Sequence, residues 1–314
     1  MFINTITHYL PEKVIPNSFF KDKNGLSDEW ITKRTGIKER RKTSPNENTN
    51  TMANDAIKKA IKNLPYSISE IDLIVGATYT PFDTVVSIAH SVQNKFNINK
   101  AKALTITSAS SSFVNAVEIV EGYFAMNKAE KALIIASEHN TAYYNEEDKQ
   151  SGHLFGDGAS AVFISKNKIS DNDIQIIDII TEGLGNIGKA PEAVYLRPLN
   201  GGIKMPFGKD VFINANNYMI SILTDILNKN NLTVMDLKYV ISHQANIRII
   251  EHIRKELKLC KEKMLINIDK LGNTGCASTP IAFSQNLNKF QKNDLIGITV
   301  FGGGYSNGAI LLKK

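Results

Sequence analysis

The stretch ALTITSASSSFVNAVEIVEGYFAMNK, residues 103–128, passes from a strand pattern through a serine-rich turn into a helix pattern. Residues 103–109 are apolar and β-branched, which favours a strand, and residues 111–128 repeat apolar side chains at helical spacing. Strand-turn-helix units of this kind build α/β proteins, in which functional side chains follow the carboxyl ends of the strands. We therefore expect the turn around Ser110 to carry a functional side chain.

The same alternation of strand and helix patterns runs along the whole chain. Further strands are predicted at residues 72–80, 131–139, 158–165, 237–245, 264–272, 294–302 and 306–314. Further helices are predicted at residues 87–96, 247–258 and 279–290. Two glycine-led segments, FGDGASAVFIS (155–165) and FGGGYSNGAILLK (301–313), are similar in pattern, which indicates a duplicated unit. The sequence thus predicts an α/β fold of two duplicated halves, 1–166 and 167–314, although a chance alternation of elements is the alternative.

Two segments depart from this repeat. Residues 166–212 include the glycine- and proline-rich run GLGNIGKAPEAVYLRPLNGG, which we expect to form loops over the site. Near the N-terminus, the charged insertion at residues 25–49 contains the only tryptophan, Trp30.

Composition limits the classes of function. The chain has 42% hydrophobic and 22% charged residues and a net charge of +6, and no run approaches the ~20 apolar residues of a membrane span. Its lysines are scattered, so they form a solvated surface or attract anions, and no basic stripe indicates nucleic acid. Two cysteines, Cys260 and Cys276, make no disulfide framework, and no signal peptide is evident. We therefore expect a cytoplasmic protein that binds neither membrane nor nucleic acid.

Three further segments place polar side chains or glycines after predicted strands. His243 opens the run HQANIR, Asn273 opens NTGCAST, and residues 302–304 are a glycine triplet. Because equivalent strand ends of a duplicated sheet lie near its internal two-fold axis, we expect all three to meet Ser110 at one site. Taken singly, Ser110 suits a helix N-cap and Asn273 suits a turn, so the prediction depends on their combination.

Taken together, these motifs resemble the thiolase superfamily, and more narrowly β-ketoacyl-acyl-carrier-protein synthase III and its acyltransferase relatives. The resemblance is carried, in family order, by DEWITKRTGIKERR (28–41), ALTITSASSSF (103–113), FGDGASAV (155–162), SHQANIRII (242–250), GNTGCAS (272–278) and FGGGYSNGA (301–309). It implies a thiolase-like fold layered α-β-α-β-α and a homodimer. It also implies a Cys-His-Asn triad, of which His243 and Asn273 match directly, while Ser110 stands where the family has cysteine.

Ser110 leaves three interpretations open. It is a cysteine-to-serine replacement that traps or inactivates the enzyme, a natural serine that forms an oxygen ester, or the mark of a homologue without self-acylation. A helix N-terminus lowers the pKa of a thiol, whereas a hydroxyl stays protonated near neutrality and needs a general base. Cys276 follows the NTG turn, but a free cysteine is more often a small buried hydrophobe than a nucleophile.

The resemblance implies decarboxylative Claisen condensation of an acyl thioester with a malonyl thioester. The substrates would be acyl-coenzyme A and malonyl-acyl carrier protein, and the pathway would be fatty acid or polyketide-type biosynthesis. Neither a metal nor a resident cofactor is expected. Two alternatives stay open: an acyltransferase that moves the acyl group to oxygen or nitrogen, and a non-catalytic partner subunit of the same fold.

The resemblance also implies roles for residues around the triad. Backbone groups of Gly302, Gly303 and Gly304 would approach the nucleophile. Coenzyme A would be held by Trp30, Arg34, Lys149, Asn246 and Arg248, with the adenine between the indole and the guanidinium. The acyl pocket would include Val85, Val86 and Phe207. The segment YTPFDTVVS (79–87) differs from the corresponding segment of short-chain priming enzymes, which leaves the length of the acyl group open. Arg254 and Lys255 either help to dock a carrier protein or belong to a solvated helix face.

Overall fold

A computed structural model describes all residues from 1 to 314. The two halves of a nine-stranded mixed β-sheet enclose a central layer of helices and carry further helices on their outer faces. The strands are β1 Phe2–Tyr9, β2 Lys13–Pro16, β3 Glu39–Lys42, β4 Leu73–Ala77, β5 Lys102–Ile106, β6 Lys131–Glu138, β7 Gly158–Ser165, β8 Ile174–Gly183, β9 Tyr195–Arg197, β10 Gly202–Lys204, β11 Tyr239–Ser242, β12 Leu295–Gly302 and β13 Ser306–Lys313. The α-helices are α1 Phe19–Asn24, α2 Asp28–Thr35, α3 Thr49–Ile61, α4 Ile88–Lys95, α5 Ser112–Ala125, α6 Ala190–Ala193, α7 Gly208–Lys229, α8 Ile247–Glu256, α9 Ile268–Leu271 and α10 Ser278–Gln285. No helix is long and apolar enough to cross a membrane.

The main sheet shows the predicted duplication. Its nine strands follow the order β11-β12-β13-β8-β1-β7-β6-β4-β5, with β1 and β8 antiparallel at the centre. On one side β7 and β6 are antiparallel and β6, β4 and β5 are parallel; on the other, β13 and β12 are antiparallel and β12 and β11 are parallel. The two glycine-led segments found in the sequence are the equivalent strands β7 and β13.

Three hydrophobic clusters separate the layers. The central cluster contains 34 buried residues and includes α5 and α10, which both halves of the sheet cover. Strand β6 lies between two clusters, because successive side chains of a strand point to opposite faces. Ile134 faces the central cluster, and its neighbours Leu133 and Ile135 face a second cluster under α3 and α4. A third cluster packs α7 and α8 on the other half. Burying one such side chain is worth about 1.5–3 kcal/mol, so the alternation fixes the predicted α-β-α-β-α layering.

Two sequence predictions need correction. Residues 166–212 were expected to be loops, yet they contain β8, whose residues 174–183 pair with both β13 and β1 at the middle of the sheet. Residues 264–272 were expected to form a strand, but only Met264 makes a bridge, to Val240, before α9 begins. The Asn267 N–H donates to the Gln244 side chain instead of to a strand, which turns the chain away from the sheet.

Candidate active site

Ser110 lies in a turn that its neighbouring serines hold in place. Ala109 has a φ of +47°, a strained value for a residue with a Cβ, so the chain bends sharply between β5 and α5. The Ser111 hydroxyl donates to the carbonyl of Ser108, and the Ser112 hydroxyl donates to that of Ala109. Ser110 takes part in no side-chain hydrogen bond, and it lines a cavity at the start of α5. The predicted position of the nucleophile is therefore open to a ligand.

The glycine triplet after β12 packs against this turn. A Cβ at Gly302 would lie 2.4 Å from the Ser108 carbonyl oxygen and 2.8 Å from the Ser111 hydroxyl oxygen, so only glycine fits. Gly303 and Gly304 follow, and both line the cavity beside Ser110. The close approach of β12 to the turn thus brings the C-terminal half of the chain to the nucleophile position.

His243 follows β11 and is 4% exposed. Its Nδ1 lies 2.8 Å from the hydroxyl oxygen of Ser278, at the start of α10, and this hydroxyl also accepts weakly from the backbone N–H of Gln244, at 3.5 Å. Burial lowers the pKa of His243 to about 4, so the ring is neutral near pH 7. When the Ser278 hydroxyl donates to Nδ1, the ring proton lies on Nε2, and this tautomer presents a donor to the cavity.

Asn273 is held by main-chain bonds to the other half of the site. Its N–H donates to the Leu154 carbonyl at 2.9 Å, and its carbonyl accepts from the Gly156 N–H at 3.0 Å. The side-chain Oδ1 accepts from the Gly275 N–H at 2.9 Å. The amide nitrogen, Nδ2, is therefore the end of the carboxamide left for a ligand. In the Nε2–H tautomer, His243 and Asn273 each have their acceptor atom satisfied by the protein and a donor free.

One cavity of about 600 Å³ brings these groups together. Ser110, His243, Asn273, Gly303 and Gly304 all contribute to its wall, as predicted from the sequence. The remaining wall is mainly apolar and includes Leu154, Phe155, Pro191, Val194, Tyr195, Leu196, Ile203, Met205, Val211, Phe212, Ala215, Met219, Ile249 and Phe301. Residues 191–205, in the segment expected to form loops over the site, line one side of it, although they include parts of α6, β9 and β10. An apolar cavity with a few convergent polar groups is typical of a small-molecule site.

The predicted coenzyme A residues divide into two groups. Asn246 lines the cavity and caps α8, whereas Trp30, Arg34 and Arg248 lie outside its wall. The guanidinium carbon of Arg34 is 4.5 Å from the centre of the Trp30 ring, so the two side chains already stack on each other. An adenine between them would have to part this pair. Arg248 donates to the Lys33 carbonyl at 3.5 Å, which joins α8 to the helix that carries Trp30.

The side chain of Lys149 contacts none of the other predicted coenzyme A residues. It is exposed in the turn at residues 145–152, which is anchored by Asn24 donating to the Glu146 carbonyl. His153, just after this turn, packs edge-on against Trp30 at 5.6 Å. The turn therefore adjoins the Trp30 region while the Lys149 side chain faces solvent.

The predicted acyl-pocket residues are not in the cavity wall of the single chain. Val85 is 89% exposed, Val86 51% and Phe207 43%. The Asp83 carboxylate accepts from the N–H groups of Val85 and Val86, and this turn holds both valines away from the sheet. Apolar residues of the 191–219 region take their place, which the sequence pattern did not identify.

A buried polar cluster under the Asn273 turn was also missed. Glu138 is fully buried and accepts from the hydroxyls of Thr78 and Thr80, while its burial raises its pKa to about 7. The Tyr79 hydroxyl donates to the Asn140 side chain at 2.7 Å, and Tyr79 lines the cavity. The signal that could have found this cluster is the pair of polar runs TYT (78–80), which follows β4, and SEHN (137–140), which spans the end of the adjacent parallel strand β6.

Cys276 behaves as a buried hydrophobe. Its thiol donates to the Ala77 carbonyl, it does not line the cavity, and burial raises its pKa well above the usual value. It is therefore a poor nucleophile. No group of three or more His, Cys, Asp or Glu side chains is arranged to hold a metal ion.

The chain is similar to one family of acyl-carrier-protein synthases over most of its length. A model of 3-oxoacyl-[acyl-carrier-protein (ACP)] synthase III matches residues 104–183, and the model of its C-terminal region matches residues 227–314. The β-ketoacyl-[acyl-carrier-protein] synthase III of Campylobacter jejuni is 34% identical over 320 residues, covering 99% of this chain and 97% of that protein. The chain belongs to the β-ketoacyl-[acyl-carrier-protein] synthase III family.

Other members of the synthase III family support the same assignment over the full length. The enzyme of Aquifex aeolicus is 36% identical over 308 residues, covering 97% of this chain and 96% of its own. Its crystal structure has a TM-score of 0.93 at 34% identity and covers 100% of this chain and 99% of that chain. The Thermus thermophilus structure gives 0.93 at 27% identity with the same coverage. The predicted resemblance, the thiolase-like fold and the acyl-transferring condensing activity are thereby confirmed.

Proposed function

We propose that this synthase III catalyses decarboxylative Claisen condensation of an acyl-coenzyme A with a malonyl thioester carried by acyl carrier protein. The observation that carries this proposal is the single cavity in which Ser110, His243, Asn273 and the glycine turn meet. The cavity wall, which is largely apolar, suits the acyl chain. The names of the family members support fatty acid or polyketide-type biosynthesis as the setting.

In the first half-reaction, the Ser110 oxygen attacks the thioester carbonyl. The carbon–sulfur bond breaks, coenzyme A leaves as a thiol with the serine proton, and an oxygen ester remains on Ser110. Backbone N–H groups at the start of α5 and in the turn at Gly303 and Gly304, which lines the cavity beside Ser110, would stabilise the negative charge that develops on the carbonyl oxygen.

In the second half-reaction, the malonyl thioester loses carbon dioxide. Its thioester oxygen becomes an enolate, to which His243 Nε2–H and Asn273 Nδ2–H donate. The enolate carbon attacks the ester carbonyl and a carbon–carbon bond forms. Ser110 leaves and takes a proton from solvent water, because its own proton left with coenzyme A. Because burial keeps His243 neutral, the site stabilises the enolate through hydrogen bonds from neutral donors.

We infer that coenzyme A and the carrier protein approach over α2 and α8. Half-buried Trp30 and exposed Arg34, once parted, would hold an adenine between them, and Asn246 and Arg248 would lie toward the pantetheine path. Lys149 is the outermost candidate for a phosphate contact. Of the predicted docking cations, Lys255 is exposed, whereas Arg254 is paired with Glu251 at 2.9 Å, so Arg254 contributes less.

We also propose a homodimer in a reducing cytoplasm, in which two free cysteines fit. Strand β5 pairs only with β4 and leaves one edge of the nine-stranded sheet open, with Leu104 and Ile106 half-buried. Phe82, Val85 and Val86 form an exposed apolar loop after β4. A two-fold partner that continues the sheet at β5 would cover both features. Light scattering should give about twice the chain mass of 34.8 kDa, and a stable monomer with full ligand binding would contradict the dimer.

The test of the condensing function is intact-protein mass after incubation with a panel of acyl-coenzyme A thioesters, followed by product mass after adding malonyl-acyl carrier protein. We expect an acyl adduct on Ser110 and a product that is two carbons longer than the acyl group, with release of carbon dioxide. A product without carbon dioxide release would indicate transfer to oxygen or nitrogen instead. Absence of both adduct and turnover would favour a non-catalytic partner subunit.

A further inference from the structure

A phenol ring from the strand next to the Ser110 strand forms part of the cavity wall. Tyr79 comes two residues after β4, and β4 pairs in parallel with β5, which leads to Ser110. The N–H of Thr78 donates to the carbonyl of Ile106 at 3.3 Å, so the two chains leave the sheet side by side. The Tyr79 ring therefore lines the same cavity as Ser110.

Three contacts hold Tyr79 in one position. Its backbone N–H lies 3.3 Å from both carboxylate oxygens of the buried Glu138. Its hydroxyl donates to Oδ1 of the fully buried Asn140 at 2.7 Å. Behind the ring, a Cβ at Gly275 would lie 2.6 Å from the phenol oxygen and 2.7 Å from Cε1. The ring thus has no space behind it into which it could move away from a ligand.

Asn140 is itself fixed by the backbone of the site. Its Nδ2 donates to the Gly156 carbonyl at 2.8 Å and to the Asn273 carbonyl at 3.4 Å. Burial, with the nearby Glu138 carboxylate, raises the pKa of Tyr79 well above its usual value, so the phenol keeps its proton and donates to Asn140. Displacing the ring would leave the buried Asn140 oxygen without this donor, at a free-energy cost that a ligand would have to offset.

The positions of Tyr79 and Asn246 give the acyl group a direction. Asn246 follows β11, at one edge of the main sheet, and Tyr79 follows β4, which lies next to the opposite edge. Both line the cavity, and so does Ser110. When pantetheine lies on the Asn246 side and the thioester carbon is at Ser110, the acyl group extends toward Tyr79. A lengthening acyl chain then meets a fixed ring.

We propose that Tyr79 limits the length of the acyl group that this synthase accepts, so that short acyl groups bind and long straight chains are excluded. This inference rests on the proposed function, which places the acyl thioester at Ser110. Tyr79 acts here as a specificity-determining residue, and its effect is steric, because the Asn140 and Glu138 contacts and the Gly275 backbone keep the ring in place. Each further methylene group that becomes buried favours binding by about fourfold, so chain-length preference measures the space available.

The test supplies the full-length protein with straight-chain acyl-coenzyme A thioesters from acetyl to dodecanoyl. Affinity is measured by calorimetry, and acyl transfer to the protein by adduct mass. In the unaltered protein we expect both to fall from butanoyl to octanoyl and beyond. Tyr79→Ala should raise the affinity for octanoyl relative to acetyl by about 10-fold or more, because the vacated space buries at least two more methylene groups. Tyr79→Leu should give a smaller shift, and it keeps the test available if the alanine variant does not fold.

Two further variants separate ring size from other effects. Tyr79→Phe keeps the ring and loses only the hydroxyl, so the length preference should stay that of the unaltered protein. Tyr66→Ala is the matched control, because the Tyr66 hydroxyl also donates to an asparagine Oδ1, that of Asn4 at 3.0 Å, outside the cavity. It should lose stability without any change in length preference.

The two readouts distinguish failure of this inference from failure of the proposed function. If the unaltered protein binds dodecanoyl-coenzyme A as tightly as butanoyl-coenzyme A, or if Tyr79→Ala and Tyr79→Leu leave the length preference unchanged, the limit at Tyr79 is overturned, whether or not acyl transfer occurs. A shift in Tyr79→Phe as large as that in Tyr79→Ala would also overturn a steric limit. If the affinities shift as expected but no thioester gives an adduct or a product, the limit at Tyr79 stands and the condensing function fails.

Discussion

The Ser278 hydroxyl oxygen lies 2.8 Å from Nδ1 of His243, so this contact orients the ring, and a hydroxyl that donates to Nδ1 favours the Nε2–H tautomer. Ser278 is 1% exposed and lies at the first residue of α10, so its position is fixed by a helix packed in the central layer. It is a positioning residue, since it acts on the ligand through the imidazole.

Ser278→Ala should therefore weaken enolate formation while leaving the fold intact. Losing one net hydrogen bond of about 0.5–1.5 kcal/mol lets the proton move to Nδ1, which predicts a decarboxylation rate lower by roughly 2- to 10-fold. Nitrogen-15 NMR of the histidine ring should show the change of tautomer. The matched control is Ser284→Ala, which removes the same kind of contact, 2.9 Å to Nδ1 of His8, on the same helix but outside the cavity. Equal rate losses in both variants would mean that Ser278 serves stability alone.

The buried ring of His243 should make stability depend on pH. Its pKa is about 4 in the fold against an ordinary 6.5, so below pH 6.5 the unfolded chain binds a proton that the folded chain does not. The contribution is complete above pH 6.5 and is lost as the pH falls toward 4, by up to about 3 kcal/mol. Glu138 acts in the opposite direction, because its pKa is raised to about 7 and its contribution is lost as the pH rises from 4.5 through 7.

Urea unfolding of the unaltered protein and of His243→Gln, at intervals from pH 4.5 to 7.5, separates the two contributions. The difference in unfolding free energy between the two proteins should shrink as the pH falls below 6.5. A constant difference over that range would show that His243 is not held neutral by burial. The rate of decarboxylation should not fall between pH 7.5 and pH 6 through protonation of His243, because its pKa is about 4.

The local pattern of the chain predicts much of this arrangement, and long-range packing explains the rest. The unit around Ser110 was predicted as a strand at 103–109 and a helix at 111–128, and the structure has Lys102–Ile106 and Ser112–Ala125, because both depend on neighbouring residues. Strand β8 was missed because the glycine- and proline-rich residues after it dominate the segment. Ser278 was missed because its contact with His243 spans 35 residues and exists only once α10 packs beside β11. The exposure of Val85 and Val86 depends on a turn around Asp83.

Trp30 and Arg34 provide a test that distinguishes the two thioester carriers. Trp30→Ala and Arg34→Ala should raise KM for acyl-coenzyme A and leave KM for carrier-protein thioesters unchanged, because only the former contains adenine. Stacking of a base on an aromatic ring is worth about 1–3 kcal/mol, which predicts an increase of roughly 5- to 150-fold for Trp30→Ala. Lys33→Ala is the matched control, since Lys33 is exposed on the same helix and only its backbone carbonyl contacts Arg248. Equal losses for both carriers would assign the pair to the fold.

The decisive substitution is Ser110→Cys. A thiol ionises far more readily than a hydroxyl, and the N–H groups at the start of α5 favour its thiolate, so no proton need pass to His243. The turn already accommodates a side chain of this shape, because Ser110 makes no hydrogen bond that sulfur would lose. We therefore expect acyl transfer from acyl-coenzyme A to the protein to rise by about 10-fold or more in Ser110→Cys, since thiolates are the stronger nucleophiles, and to disappear in Ser110→Ala. Adduct mass against time, with product mass for all three proteins, is the measurement. If the serine protein acquires the acyl group faster than the cysteine protein, serine is the adapted nucleophile and some base other than the Nε2–H tautomer of His243 serves it. If none of the three acquires an acyl group from any thioester, Ser110 is not the acyl carrier.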